Sequence, residues 1–422
     1  MFDLKCSTIF KFIVPISLIG ILAACSSDDS VVPVFDPSVA PQNVQVVAGD
    51  GNSTEVRNTI SWTAVPGASD YVVYWSNVEG VTDASSVVEP TATGLYFSVH
   101  SGIDVLADNT YYYRVQAVSG TATSVLSAEV TATPQQSVTA DSLNDVAWNG
   151  ANTLVAVGDS GTLLNSANAL TAAWSVVPSG VSNSLAGVTW SDTNNEFLAV
   201  GAGGTILRGD GSSWTPVSSP VTTDLEDGSW LGDRYIVVGK NGTILTSNAD
   251  GSAWTPQNAP PTATTVTLGG VASNGARIVA VGTQSTIITS DDDGVTWIER
   301  ESPVNNDLND VSWNGNQFVA VGSDGTVLLS ADGAEWSLFI TGVTDVNFVG
   351  VTVGSAAVPT DPVMAMVGAS GDFVTLDAGT ALKIATGTSD RLAGIAWVDD
   401  GATPGYFVMV GNDGAVFTSQ YR

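Results

Sequence analysis

LNDVSWNGNQFVAVGSDGTVLLSADGAEWSL, residues 308–338, decides the fold. Leu308 leads a short hydrophobic start that ends at Trp313. Phe318 begins an apolar run that ends in Val321-Gly322. Asp324-Gly325 is a two-residue hairpin turn, because both positions accept positive φ. A third strand follows in Thr326-Val327-Leu328-Leu329, and Trp336 opens a fourth. The same unit recurs seven times between Leu143 and the C-terminus. Its Val-Gly pairs end at Gly158, Gly201, Gly239, Gly282, Gly322, Gly368 and Gly411, which are 43, 38, 43, 40, 46 and 43 residues apart. A fixed period of this length marks a propeller or a solenoid, with one four-stranded blade per unit.

The innermost strand of each unit reads LNDVAW (143–148), LAGVTW (185–190), LEDGSW (225–230), LGGVAS (268–273), LNDVSW (308–313), FVGVTV (348–353) and LAGIAW (392–397). Asn241-Gly242 and Asp413-Gly414 repeat the hairpin signal. Fourth strands start at Trp174, Trp214, Trp254, Trp297 and Trp336, with Leu382-Lys383-Ile384 serving in the sixth unit. The seventh unit stops after its third strand, at Tyr421-Arg422. An orphan segment, Ser137-Val138-Thr139-Ala140, precedes the first unit. The expectation is a seven-bladed propeller over 135–422 whose last blade is completed by that segment. Such a 3+1 closure locks the ring and hides its edges.

Ser290-Asp291-Asp292-Asp293-Gly294-Val295-Thr296-Trp297 fits the Asp-box pattern, with Ser290, Asp292, Gly294, Thr296 and Trp297 as its structural positions. Weaker copies end at Trp254 and Trp336. The short polar side chains bond their own turn and the Trp plugs between blades. The pattern resembles the BNR-repeat propellers. The GTIL-plus-Asp-box phrasing resembles the photosystem II assembly factor family (Ycf48-like) over 137–422.

Residues 41–134 resemble a fibronectin type III domain, an immunoglobulin-like β-sandwich. Pro41-Gln42-Asn43-Val44 opens the first strand, Ile60-Ser61-Trp62 lies on the second and Tyr71-Val72-Val73-Tyr74 on the third. Tyr111 to Val118 fits the sixth and Ser127 to Thr133 the last. Strands of period two separated by turn residues agree with this. Trp62, Tyr111, Tyr113, Val115 and Ala117 are expected to point inward, with Tyr111 as the tyrosine corner. No Arg-Gly-Asp loop is present, and a spacer role is expected. The whole chain is therefore read as all-β.

The first 24 residues read as an export signal. Lys5 and Lys11 form its positive end, and Phe12 to Leu22 is an apolar run too short to span a bilayer. Leu22-Ala23-Ala24-Cys25 resembles the lipobox of bacterial lipoproteins, which implies a diacylated Cys25. Residues 25–40 read as a flexible tether. Ser26 follows the cysteine where inner-membrane retention favours Asp, and Ser27-Asp28-Asp29 resembles a short surface-export signal. The expected location is the outer membrane, facing the periplasm or the cell surface.

Composition excludes much chemistry. The chain has two cysteines, Cys6 in the signal and Cys25 at the lipid, so no disulfide or thiol nucleophile is expected beyond them. His100 is the sole histidine, and a surface strand position is expected for it. A Ser-His-Asp triad in the repeats and a multi-histidine zinc site are excluded. Without Asp3, Lys5 and Lys11 the chain carries 41 acidic and 10 basic residues, about −31. Such a surface repels nucleic acid. Sialidase chemistry needs converging arginines, and the repeats hold only Arg208, Arg234, Arg277, Arg300, Arg391 and Arg422, in unsuitable contexts. An EF-hand register over Thr289 to Arg300 puts an arginine at the bidentate position and fails.

One face stands out. Asp145, Asp227 and Asp310 follow the leading Leu of inner strands, and Asp159, Asp324 and Asp413 lie in second-to-third turns. Together they are the candidate binding residues of a negatively charged channel mouth, for a cation or a basic protein segment. Ordinary strand-end capping also explains Asp at these places, because such turns demand Asp anyway. No catalytic residue and no cofactor are assigned, and weakly bound Ca2+ is the one ion the site suits. The expected function is a monomeric, non-catalytic platform for a protein or glycan ligand. The alternatives are a polysaccharide-active hydrolase or lyase and an assembly factor for a membrane complex.

Overall fold

The computed structural model describes residues 33–50, 56–88, 97–101, 105–107, 109–134, 136–168, 173–354, 363–377, 379–399 and 405–420. The export signal, Cys25 and Ser26 to Asp29 lie outside them. Among the described residues the regular elements are strands and single 3-10 turns. Six four-stranded sheets follow one another from Leu143 to Ile384, one per repeat. The inner strands fall where the repeat places them, from Leu143–Trp148 to Leu392–Val398. Each second strand is buried along its apolar run, as in Leu154–Gly158 and Phe318–Gly322. Its side chains fill the seams to both neighbouring blades, which is why it reads as continuous apolar sequence rather than as alternation. The first and last inner strands lie side by side, and one core cluster joins Leu143, Val146 and Leu154 to Val408, Val410 and Val416. The ring is closed.

The turns follow their sequence signals. Asn241 and Gly242 have φ 54° and 61°, Asp324 and Gly325 55° and 70°, Asp413 and Gly414 55° and 71°. The Asp-box of blade four closes on itself. The Asp292 carboxylate accepts from Ser290 Oγ (2.8 Å), Thr296 N (2.8 Å) and Thr296 Oγ1 (2.6 Å), and Trp297 Nε1 donates to Gly294 O (2.9 Å). Trp254 and Trp336 repeat that indole bond to Gly251 and Gly333.

Residues 42–132 build a two-sheet sandwich. Gln42–Asp50, Val56–Thr63 and Phe97–Ser101 form one side, and Ser86–Val88, Asp70–Ser76, Tyr111–Ser119 and Ala122–Thr123 the other, with Val130–Ala132 also paired to Tyr111–Ser119. Trp62, Tyr111, Tyr113, Val115 and Ala117 are buried as expected. Tyr111 Oη accepts from Leu106 N at 2.8 Å, the bond of a tyrosine corner. His100 departs from expectation. It is buried, with Nδ1 2.8 Å from Tyr113 Oη and its ring 4.4 Å from that of Trp75. Its strand alternates as any sandwich strand does, and His100 falls on the inward phase.

The closing strand is the main correction. Blade seven consists of Leu392–Val398, Tyr406–Gly411 and Val416–Gln420, and its fourth strand is Gln42–Asp50, the first strand of the sandwich. Val47, Ala48 and Gly49 pair antiparallel with Ser419, Thr418 and Phe417. Sandwich and blade seven thus share one six-stranded sheet. The period of two makes this work: Val46 and Ala48 face the sandwich core, and Val47 faces the propeller core beside Phe407 and Phe417. Gly49 permits the approach, since a Cβ there would stand 2.3 Å from Phe417 Cδ1. Thr59 Oγ1 adds a bond to Thr386 O at 3.1 Å. The spacer reading of the sandwich fails with this weld.

Ser137 to Ala140 is not a strand. Ser137 Oγ lies 2.8 Å from Gly414 O and 2.7 Å from Thr139 O. The segment occupies the linker slot that Ser179 to Val181 fills against Gly161 one blade later. The tether is also shorter than read. Val125 N donates to Pro37 O at 2.9 Å, and Gly67 packs against the backbone of Phe35.

Candidate functional site

The site grows from one position in each inner strand, the third. It is Asp145, Gly187, Asp227, Gly270, Asp310, Gly350 and Gly394 around the ring. Each aspartate spans to the next blade. Asp145 accepts from Val146 N and Val188 N (both 2.8 Å), Asp227 from Gly228 N (2.7 Å) and Val271 N (2.8 Å), and Asp310 from Val311 N (2.7 Å) and Val351 N (2.8 Å). The glycines make room at alternate seams. A Cβ on Gly187, Gly270 or Gly394 would stand 3.0, 2.7 or 2.5 Å from the Cα of Asp227, Asp310 or Asp145. Seven is odd, so the alternation fails once, between blades six and seven, where Gly350 faces Ala393 O.

The three carboxyls line the channel, partly exposed along it yet enclosed by the surrounding blades. Burial, with the neighbouring Asp227 charge, pushes Asp145 up to about 8. Burial pushes Asp227 to about 6. Burial and the charges of Asp227 and Asp145 push Asp310 well above the carboxylate range. Backbone N–H donors oppose these shifts without cancelling them.

Above this circle lies a pocket of about 430 Å³, lined among others by Asn144, Glu226, Asn309 and Arg391. Asn144 and Asn309 are spent on the next blade, donating to Leu185 O (2.9 Å) and Phe348 O (2.6 Å). Glu226 stands at the equivalent place in blade three, where a carboxylate cannot donate. Burial raises its pKa, and Lys240 Nζ lies 3.8 Å away. Arg391 overhangs from blade seven, and burial lowers its pKa against the pull of Asp159. Below the circle a second space of about 360 Å³ is lined by, among others, Thr189, Ser229, Ser273, Ser312 and Thr352.

The six predicted acids therefore separate. Asp145, Asp227 and Asp310 share the inner circle. Asp159 sits at the first turn position of blade one and accepts from Asn144 Nδ2 (3.2 Å) and Ser184 Oγ (3.1 Å). Asp324 and Asp413 occupy the left-handed second position and are exposed, with Asp324 accepting from Asn306 Nδ2 at 3.0 Å. Among the described residues no three acidic, His or Cys side chains are grouped to hold a metal ion. Sequence reading passed over Glu226 and Arg391. Their signal was available: Glu226 is the one charged residue at the second position of the inner strands, and Arg391 the one basic residue at the position before them.

No protein-family model matches this chain, and the search of curated proteins gives no match. Solved structures do match. A structure described as "YCF48 bound to D1 peptide" is 15% identical with a TM-score of 0.55, covering 68% of this chain and 94% of that one. YCF48 from Cyanidioschyzon merolae is 14% identical with a TM-score of 0.54, covering 67% and 97%. The WD40 β-propeller domain of Doa1 is 12% identical with a TM-score of 0.55, covering 67% and 94%. At such identities the likeness establishes architecture. What this chain shares with these solved proteins is the β-propeller fold, seen in YCF48 and in the WD40 domain of Doa1.

Proposed function

We propose that this chain is a lipid-anchored, extracytoplasmic binding protein whose propeller mouth receives a basic segment of a protein partner. One observation carries the reading. Three of the acids read as candidate binding residues of the mouth, Asp145, Asp227 and Asp310, each accept two backbone amides and hold neighbouring blades together. They serve the ring and leave the exposed turn acids, Asp324 and Asp413 among them, to set the sign of the mouth. A negative mouth steers and selects positively charged partners. The fold shared with a protein described as bound to a peptide supports a peptide ligand over a polysaccharide substrate. The lipid on Cys25 keeps the platform at the outer membrane.

A pull-down from native membranes tests the mouth. The full chain should retain a partner that the double variant Asp324→Lys/Asp413→Lys loses, with retention falling as salt rises. Equal retention by the variant would remove the mouth from the reading. The anchor is tested apart from it: Cys25→Ser should move the protein from the membrane pellet to the soluble fraction.

A further inference from the structure

Blade four breaks a rule that the other six keep. The turn between second and third strands carries, at its third position, Gly161, Gly204, Gly242, Gly325, Gly371 and Gly414, with φ between 61° and 74°. A Cβ on any of them would stand 2.1–2.4 Å from a carbonyl oxygen of the segment that links one blade to the next. Only glycine lets that linker lie down on the turn. In blade four the residue is Ser285, with φ 54°, and Gln284 before it has φ 60°. Two successive non-glycine residues are held in the left-handed region, and retained strain of this kind gathers at functional sites.

The consequence is a space. A linker carbonyl cannot lie on Ser285 as it lies on the six glycines. A cleft of about 410 Å³ opens between Gln284–Thr286 and the chain from Glu299 to Asn305. Its wall is fixed. Gln284 N donates to Asp307 Oδ1 at 2.7 Å, Arg300 Nε to Thr289 Oγ1 at 2.9 Å, and Thr262 Oγ1 to Glu299 Oε2 at 2.7 Å. Gln284, Ser285, Arg300, Glu301 and Asn305 offer donors and acceptors of both kinds. Arg300 stands between two glutamates in sequence, so the cleft has no strong positive field, and its lining holds no aromatic ring.

We propose that this cleft is a second binding site, for a neutral oligosaccharide. Sugar hydroxyls donate and accept at once, as the amides and hydroxyls of this wall do. A basic peptide would be held more strongly at the mouth. The site lies outside the mouth and goes beyond the protein-binding reading, so either can fail without the other.

The test uses the full chain in detergent on an array of neutral glucan, xylan, mannan and galactan fragments. The wild type should bind at least one class. Ser285→Gly should let the linker close, raising the melting temperature while weakening that binding about tenfold or more. Asn305→Ala, at an exposed position, should weaken binding with the melting temperature unchanged. The proposal is overturned if no neutral glycan is bound, if Ser285→Gly binds as the wild type does, or if the cleft variants alter only retention of the basic protein partner.

Discussion

Blade three and blade seven carry the same repeat and are finished differently. Blade three takes its outer strand, Trp254–Gln257, from the residues that follow its third strand. Blade seven takes Gln42–Asp50 from a different body about 370 residues earlier in the chain. The local solution needs only a turn. The distant solution makes one strand serve two cores and couples the folding of both. A propeller must hide the edge of its last sheet, and here the sandwich hides it.

Removing the borrowed strand gives the largest expected effect. A fragment of residues 136–422 should lose at least ~3 kcal/mol, from burial of Val47 and three rungs of ladder. Calorimetry should show the ring melting well below the full chain, and coincident melting would dispose of the weld. Val47→Asp comes next, at about 3–5 kcal/mol, because it places an unpaired charge between blades six and seven. The same change at Val78, exposed on the sandwich, should cost under ~0.5 kcal/mol.

The inner circle gives a third, smaller contrast, felt at the seams of Asp145 and not at the seam of Gly350. The Asp145 and Asp227 carboxyls sit above their unfolded values, so the fold binds protons more tightly than the unfolded chain does. Their contribution is fully present below about pH 4 and is lost as pH rises through about 6 and then about 8. The melting temperature should therefore fall between pH 5 and pH 8.5. Asp145→Asn should flatten the upper part of that fall, while losing one of the two amide bonds, because an Asn side chain offers a single oxygen to Val146 N and Val188 N. A steeper fall in the variant would refute the assignment. Last is Thr59→Val. It removes only the bond to Thr386 O and should cost about 1 kcal/mol, read as a shift in urea midpoint.

Much of this was legible beforehand. The Val-Gly rhythm located all seven second strands, since a strand packed on both faces must be apolar throughout. Asn241-Gly242 and Asp324-Gly325 announced their turns through backbone freedom alone. The closing strand was not legible. Gln42 to Asp50 reads as an ordinary sandwich strand, and nothing local distinguishes Val47, which faces the propeller, from Val46, which does not. His100 escaped for the same reason: inward and outward phases are set by what lies across the sheet. The inner circle lay between these cases. Its Asp and Gly residues stood in plain register, yet their alternation gains meaning only when blade three is known to lie against blade two.

The sequence by itself determined the repeat, the number of blades, the turns and the Asp-box. Each of these depends on contacts within about forty residues, so periodicity and turn chemistry encode them directly. Tertiary structure alone decided which strand closes the ring, which aspartates staple neighbouring blades, and where a serine holds a linker away. Those outcomes depend on surfaces brought together from distant parts of the chain, where a side chain's role is fixed by its partner rather than by its neighbours.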